Sequence, residues 1–486
     1  MDKIGRHLYS LTVLLAVASV ALTLIGCASP AGIHPQAKLA DASALAPLKG
    51  TPVELQDHWW QAYGDARLDA LIERGLAANP SLALTRLRVE RAQALTNLVD
   101  ANRQPRVDAG LDATRERYSA QSALPPILAG HTQTSASLLL SGSWELDVFG
   151  RQRAQLDAAI GSQRAAVADD QAARVLLASN IVRQYVQLAR LVEQREVLER
   201  SLAQRQDIFD LIQQRVRAGL DTTVELHQGE GAIPEIRAAI ESIDEQRQLT
   251  RHALALLSGQ GPNALDELSP RLVEVQLLPT PDALPADLLG RRADITAARW
   301  RVEAASQELE AAHAQFYPSI NLLAFAGFSS IGLNQLVEAG SRQMGVGPAV
   351  RLPLFDAGRL RANYRGKATE VDSAVEAYNA TVLEALRDAA DAISSVGSVQ
   401  RQLNERRLAL ASAERAYELS VQRYRVGLGS YLSVLAAETN VLTQRSAETE
   451  QKARALDSQA LLARALGGGY AQPATPPFSK LALQSN

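Results

Sequence analysis

Two hydrophobic rhythms alternate along this chain. Between residues 65 and 103 apolar side chains recur at three- and four-residue spacing, with Leu68, Leu71, Ile72 and Leu76 on one helical face. Residues 151–217 contain no proline and one glycine, and residues 359–426 contain no proline and two glycines. At about 1.5 Å per residue each run reaches roughly 100 Å as a single helix. Such length calls for a coiled coil or a helical tube, unless each run breaks into two or three locally packed helices. Pro234, in the helical pattern after the first run, predicts a bend or break there, because proline removes a backbone donor.

The stretches between change to period two. Val107, Ala109, Leu111 and Ala113 alternate with Asp108, Gly110, Asp112 and Thr114. In 135–149, Ala136, Leu138, Leu140, Trp144, Leu146 and Val148 hold even positions, and Ser135, Ser137, Ser141, Ser143, Glu145 and Asp147 hold odd ones, with Leu139 the exception. Met344, Val346, Val350, Leu352 and Leu354 repeat the pattern, while in 320–328 Leu323 and Phe325 interrupt the polar face. Strands are therefore expected at about 106–116, 134–149, 319–329 and 343–355.

The order helix, two strands, long helix, turn, helix occurs twice. Gln214–Leu220 reads QRVRAGL and Gln422–Leu428 reads QRYRVGL, 208 residues on. The same offset relates Gly150-Arg151-Gln152-Arg153-Ala154 to Gly358-Arg359-Leu360-Arg361-Ala362. Upstream, Asn79-Pro80-Ser81 matches Arg292-Ala293-Asp294, and Gln104-Pro105-Arg106 matches Tyr317-Pro318-Ser319, both at 213. A constant register with one loop five residues shorter is how a duplicated unit behaves. The glycines of the two QR phrases fit helix ends that need a left-handed residue.

A strand with one apolar and one polar face lies between two environments. A soluble sandwich would turn the apolar face to a core; a membrane barrel would turn it to lipid, with polar groups toward water inside. Four strands cannot close a barrel, and an open edge in lipid leaves backbone groups unpaired. The barrel reading therefore demands oligomerisation, and three copies give twelve strands.

Composition narrows the classes. A formal net charge of −3 gives no case for nucleic acid, and 5% aromatic residues with Ala-, Leu-, Arg-, Gln- and Glu-rich tracts favour extended helices. One cysteine excludes an intrachain disulfide framework and a cysteine-based zinc site. That cysteine, Cys27, ends an export-type segment in which Lys3 and Arg6 precede an apolar run from Leu8 to Ile25. The ending Leu24-Ile25-Gly26-Cys27 resembles the bacterial lipoprotein signal, in which Cys27 becomes a lipidated N-terminus; the alternative is an uncleaved membrane anchor. Ala28 after the cysteine, rather than an aspartate, fits the outer membrane, and the Pro-, Ala- and Ser-rich stretch that follows reads as a flexible tether. The seven histidines are scattered, without a His-Glu-x-x-His pair, and no phosphate-cradling glycine loop is present. His227 reads as an exposed helix residue ahead of a metal ligand, Asp169-Asp170 as a solvated face, and Trp59-Trp60 as packing ahead of ligand stacking. No catalytic constellation, metal site or cofactor is expected.

Several stretches together resemble the TolC-like outer-membrane efflux channels, in particular the NodT-type lipoprotein branch. They are His58-Trp59-Trp60 with Gly64-Asp65 and Leu68; Ala78-Asn79-Pro80-Ser81; Leu284-Pro285-Ala286-Asp287-Leu288-Leu289 running into Arg291-Arg292-Ala293-Asp294-Ile295; and Phe316-Tyr317-Pro318-Ser319-Ile320. Ala293 stands where the family usually has proline. The resemblance implies a mainly α protein with a membrane β-barrel: a homotrimer whose twelve strands form one barrel continuous with a twelve-helix periplasmic tunnel. It implies a passive duct, not an enzyme, that docks onto a periplasmic adaptor and an inner-membrane pump of the resistance-nodulation-division type. Protein (type I) or metal export shares this architecture, and a non-pore coiled-coil lipoprotein is the reading from another class.

The organisation that follows is a signal peptide at 1–26, a lipid-anchored tether at 27–54, repeats at 55–260 and 282–469, a linker at 261–281 and a tail at 470–486. The Gly219-Leu220 and Gly427-Leu428 turns fall at hairpin tips that face the adaptor, by the same resemblance. Carboxylates just past the tips ring the aperture in the family. The corresponding positions are Glu225 in the first repeat and Ser433 and Ala436 in the second, where the family's acids are missing. Tyr424 falls where relatives use a tyrosine to hold the tips closed.

Overall fold

The computed structural model describes residues 30–40, 57–276 apart from Ser122 and Leu124, and 291–470. Cys27, the tether beyond residue 40, the Leu284–Leu289 motif and the tail after Tyr470 lie outside the described residues.

The first repeat contains α1 (Ala66–Ala78), α2 (Pro80–Ala101), β1 (Arg106–Arg117), β2 (Thr132–Leu146), α3 (Arg151–Arg217) and α4 (Thr223–Leu257). The second contains α5 (Ala293–Ala314), β3 (Ser319–Ile331), β4 (Arg342–Arg351), α6 (Arg359–Arg425) and α7 (Tyr431–Ala465). The duplication is visible in the lengths. α2 and α5 have 22 residues each, α3 and α6 have 67 each, and α4 and α7 have 35 each.

Local chemistry explains the departures from the expected boundaries. The helical pattern of 65–103 is two helices, because Asn79 leaves the helical region and its Oδ1 accepts the N–H groups of Ser81 and Leu82 at 2.8 and 3.2 Å. Pro80 then occupies the first position of α2, where a missing N–H costs nothing. β2 ends at Leu146, three residues early, because the Asp147 carboxylate turns to accept the N–H groups of Gln152 and Arg153 and starts α3. Asp356 does the same for Gly358 and Leu360 at the start of α6. The break expected at Pro234 does not occur: α4 runs through it, and the Arg205 guanidinium donates to the nearby Ala232 carbonyl at 2.8 Å. Ala293 opens α5 without a proline, with Asp294 accepting the N–H of Ile295 in its first turn.

The chain divides into two compact units, and α2, α3, α5 and α6 contribute to both. Among the described residues, one is built from 30–39, Val89–Ala166 and Ala298–Tyr378. Its sheet is antiparallel throughout in the order β1-β2-β3-β4. The register aligns the period-two patterns of all four strands. Leu111 faces Leu138, Leu138 faces Phe328, Leu140 faces Ala326, and Ala326 faces Met344. One continuous apolar face results, and Val107, Leu111, Met344, Val346 and Val350 on it are each more than 60% exposed. The opposite face carries Asp108, Asp112, Ser137, Ser141, Ser329 and Gln343. Its apolar exceptions sit against glycines: Leu139 lies between Gly110 and Gly327, and a Cβ at Gly345 would come within 2.7 Å of the Phe325 ring. Glycine there makes room for the large side chain beside it.

The helices of this unit follow the strand order. Thr96 of α2 donates to the Ala159 carbonyl of α3, Gly161 of α3 lies against Ala304 of α5, and Leu309 of α5 packs with Ala368 and Val371 of α6. Residues 30–40, read from sequence as part of a flexible tether, are instead held along α6. Asp372 Oδ1 accepts the N–H groups of Gln36 and Ala37 at 2.7 and 2.8 Å, and Ile33 and Ala37 pack on the α5–α6 core.

In the other unit α4, α3, α7 and α6 lie in that order. Arg195–Asp244 ties α3 to α4 at 2.8 Å, Arg183–Asp457 and Arg190–Glu450 tie α3 to α7, and Arg445–Glu414 ties α7 to α6. Exposed pairs of this kind fix register more than stability. Stability comes from the core, where Trp59, Trp60, Tyr63, Leu68 and Ile72 meet Ile181, Tyr185 and Leu188 of α3, Leu254 of α4 and Leu456 of α7. The tryptophan pair is thus packing.

Candidate gate at the paired helix tips

Each tip begins where a long helix must reverse. Gly219 and Gly427 have φ of 71° and 77°, a region L side chains rarely enter. Gly219 N–H donates to Val216 O and Leu220 N–H to Arg215 O; Gly427 and Leu428 repeat both bonds to Tyr424 O and Arg423 O. This double closure satisfies the last carbonyls of α3 and α6. Leu220, Val426 and Leu428 are left 65–71% exposed, as an apolar cap on the tips.

Behind the glycines the two tips are joined. Ile208 and Ile212 of α3 pack with Tyr424 of α6 and with Tyr431 and Val434 of α7 in one buried cluster. At its edge Arg215 grips Asp221 with two bonds, Nε to Oδ2 at 2.9 Å and Nη2 to Oδ1 at 3.2 Å. The same guanidinium donates through Nη1 to the Tyr424 carbonyl at 3.1 Å and lies 4.6 Å over the Tyr424 ring. The Tyr424 hydroxyl in turn donates to Asp221 Oδ2. Tyr424 is fully buried, and the Arg215 and Asp221 side chains are 12% and 11% exposed. The Arg215 bonds hold the Asp221 carboxyl below its ordinary range, while burial and the bond to Asp221 push the Tyr424 hydroxyl up. A charged Asp221 and a neutral Tyr424 are the states this geometry needs.

About three turns further from the tip along α3, a second tie involves Arg205. Its Nε lies 3.3 Å from Glu438 of α7, and its Nη1 lies 3.6 Å from Glu235 of α4. Glu438 is 4% exposed, and that burial raises its pKa against the opposing pull of Arg205.

The residues read from sequence take distinct places. Tyr424 contacts both Arg215 and Asp221. Glu225 is the third residue of α4 and completes a capping box, accepting the Thr222 N–H at 2.9 Å while the Thr222 hydroxyl oxygen accepts the Val224 N–H. The hydroxyl of Thr222 also donates to it, which holds its carboxyl below the ordinary range. Ser433 and Ala436 are exposed on α7; Ser433 donates to the Ser430 carbonyl, so the second tip has no such box. His227 is exposed, with Nδ1 3.2 Å from Glu230. Sequence reading missed Arg215, Asp221, Arg205 and Glu438. The repeat itself carried a signal for this contact: at the 208-residue offset Asp221 corresponds to Gly429 and Tyr424 to Val216, so each tip holds one half of an unlike pair.

The sheet carries one exposed apolar face, and the long helices end in paired hairpin tips, features that the comparisons with known proteins place in a single class. The chain belongs to the outer membrane efflux protein family, whose model matches residues 71–260 and 284–468. It is 34% identical over 450 residues to the multidrug resistance outer membrane protein MdtP of Escherichia coli strain K12, covering 90% of each chain. It is 31% identical to the outer membrane protein OprJ of Pseudomonas aeruginosa, over 93% of this chain and 95% of that one. Among solved structures, the outer membrane protein VceC of Vibrio cholerae matches with a TM-score of 0.81 at 35% identity, over 86% of this chain and all of that one.

Proposed function

We propose that this protein is the outer-membrane duct of a tripartite efflux pump and works as a homotrimer. Three sheets close edge to edge into a twelve-stranded barrel, and the helices of three copies form a twelve-helix periplasmic tunnel. The observation that carries this reading is the register of the sheet. It gathers the apolar alternate positions of four strands on one face and leaves the outer edges of β1 and β4 without partners among the described residues. In lipid such edges are tolerated only when another strand pairs them. α2, at the β1 side of the order, carries Leu84, Leu87, Leu95 and Leu98 at 49–57% exposure, a stripe suited to a neighbouring copy.

A channel family supplies no catalytic step, and energy comes from the inner-membrane pump. Cys27 carries the lipid anchor, and the cation preference of the aperture rests on Glu225, since Ser433 and Ala436 add no second acidic ring. The apolar cap at Gly219-Leu220 and Gly427-Leu428 is the surface offered to the periplasmic adaptor. The Arg215–Asp221–Tyr424 lock holds the tips closed until the adaptor parts them. The test is planar-bilayer conductance of the purified oligomer. Small conductance that grows when the lock is removed supports the duct; no conductance in either form favours a non-pore coiled-coil lipoprotein.

A further inference from the structure

The two rims of the apolar sheet face differ in chemistry. At the helix-proximal rim the face ends in Trp144, Ile320 and Val350, and the nearby Arg106 and Arg351 belong to the opposite face by strand alternation. At the hairpin rim the order reverses. Arg115 and Arg117 continue the positions of Val107 and Leu111, and Arg342 continues those of Met344 and Val346, so all three lie on the apolar face. Arg115 pairs across the ladder with Thr134 and Arg117 with Thr132, which puts two hydroxyls beside two guanidinium groups. No carboxylate among the described residues forms an ion pair with any of the three arginines, whereas Arg106 pairs with Asp108 at 2.9 Å.

We infer that this rim binds a phosphorylated saccharolipid of the outer leaflet, through Arg115, Arg117 and, from a neighbouring copy, Arg342. Charge is tolerated at the edge of an apolar band, where it is not at the middle, so the arginines fit there. Guanidinium groups bind phosphate oxygens through paired N–H donors, and hydroxyls at the same rim suit a sugar headgroup. β1 and β4 are the two edges of the sheet, and Arg115, Arg117 and Arg342 all lie at its hairpin end. Closing the barrel brings the β4 edge of one copy to the β1 edge of the next, so each of three seams gathers three guanidinium groups. The proposal rests on the trimeric barrel reading above.

The experiment is native mass spectrometry of the detergent-solubilised full-length oligomer with three probes: bis-phosphorylated lipid A, its non-phosphorylated counterpart, and phosphatidylglycerol. Oligomer mass and bilayer conductance are recorded on the same samples. Bis-phosphorylated lipid A is retained by the wild type and at least tenfold less by Arg115→Gln/Arg117→Gln/Arg342→Gln. Arg106→Gln/Arg351→Gln, at the other rim and on the other face, retains it fully. Equal retention by the triple variant overturns the proposal, as does equal loss in the control pair or equal retention of phosphatidylglycerol. A sample that is neither trimeric nor conducting instead removes the barrel reading, and the seam site with it.

Discussion

Replacing Asp221 with asparagine tests the lock with little change in shape. The carboxylate accepts two bonds from Arg215 and one from Tyr424, and only the Tyr424 bond runs directly from tip to tip. A hydrogen bond to a charged group contributes about 1.5–3 kcal/mol net. The amide in Asp221→Asn would keep one acceptor oxygen and lose the charge, while Arg215 keeps the Tyr424 carbonyl and ring. The expected loss of tip-to-tip coupling is about 2–3 kcal/mol, or roughly 30- to 150-fold in the closed-to-open ratio at 1.4 kcal/mol per tenfold. Single-channel recording reads this as a rise in open probability. Tyr424→Phe removes the same bond from the other side, so the double variant opens the channel less than the product of the two single effects. The pH sign is fixed by the lowered Asp221 pKa: the lock is complete above the ordinary aspartate value of about 4 and fails only as pH falls through the depressed value. Because both side chains are nearly buried, raising salt does not mimic the mutation. An Asp221→Asn channel that conducts like the wild type while remaining trimeric refutes this reasoning.

Four further outcomes can be checked on the same protein. Arg205→Ala leaves Glu438 buried without its cation and is expected to cost about 3–5 kcal/mol, whereas Glu438→Gln costs less because the amide oxygen still accepts and Arg205 keeps Glu235 and the Ala232 carbonyl; thermal melts followed by circular dichroism should rank Arg205→Ala as the less stable. The raised Glu438 pKa gives a matching sign, with stability falling as pH rises from the ordinary glutamate value through the raised one, and Glu438→Gln abolishing that slope. Gly259→Ala combines a φ of +70° with a Cβ 2.7 Å from the Ala78 carbonyl, so its Tm drops, while Gly231→Ala, with open space around it, does not lower Tm. Asp372→Ala removes the acceptor for two backbone N–H groups and speeds proteolysis within residues 30–40 at unchanged conductance.

Much of the fold was legible because it is written twice. Offsets of 213 and 208 returned helix pairs of identical length, and period two located all four strands to within a few residues. The misses have local causes. Asn79 and Asp147 spend their side chains on starting helices, which periodicity does not register. Proline at 234 predicts a break by its usual cost, yet α4 runs through it, with Gly229 close against Phe209 and Ile212 of α3 and the Ala232 carbonyl bonded to Arg205. Leu139, Leu323 and Phe325 looked like errors on the polar face until pairing placed glycines beside them. Of the tip contacts, the glycine turns were readable from helix-end chemistry, and Tyr424 was singled out by resemblance. Arg215 and Asp221 were not, since their meaning depends on a residue more than 200 positions away. Arg205 and Glu438 look like ordinary helix-surface residues in sequence and become a buried tie only when α3 meets α7.

The most direct measurement is the mass of the detergent-solubilised particle, by light scattering corrected for bound detergent. The proposed twelve-stranded barrel, built from a sheet with an apolar face and two edges unpaired among the described residues, predicts three chains per particle, with no stable monomer. A monodisperse, folded single chain that keeps its sheet in detergent would contradict it.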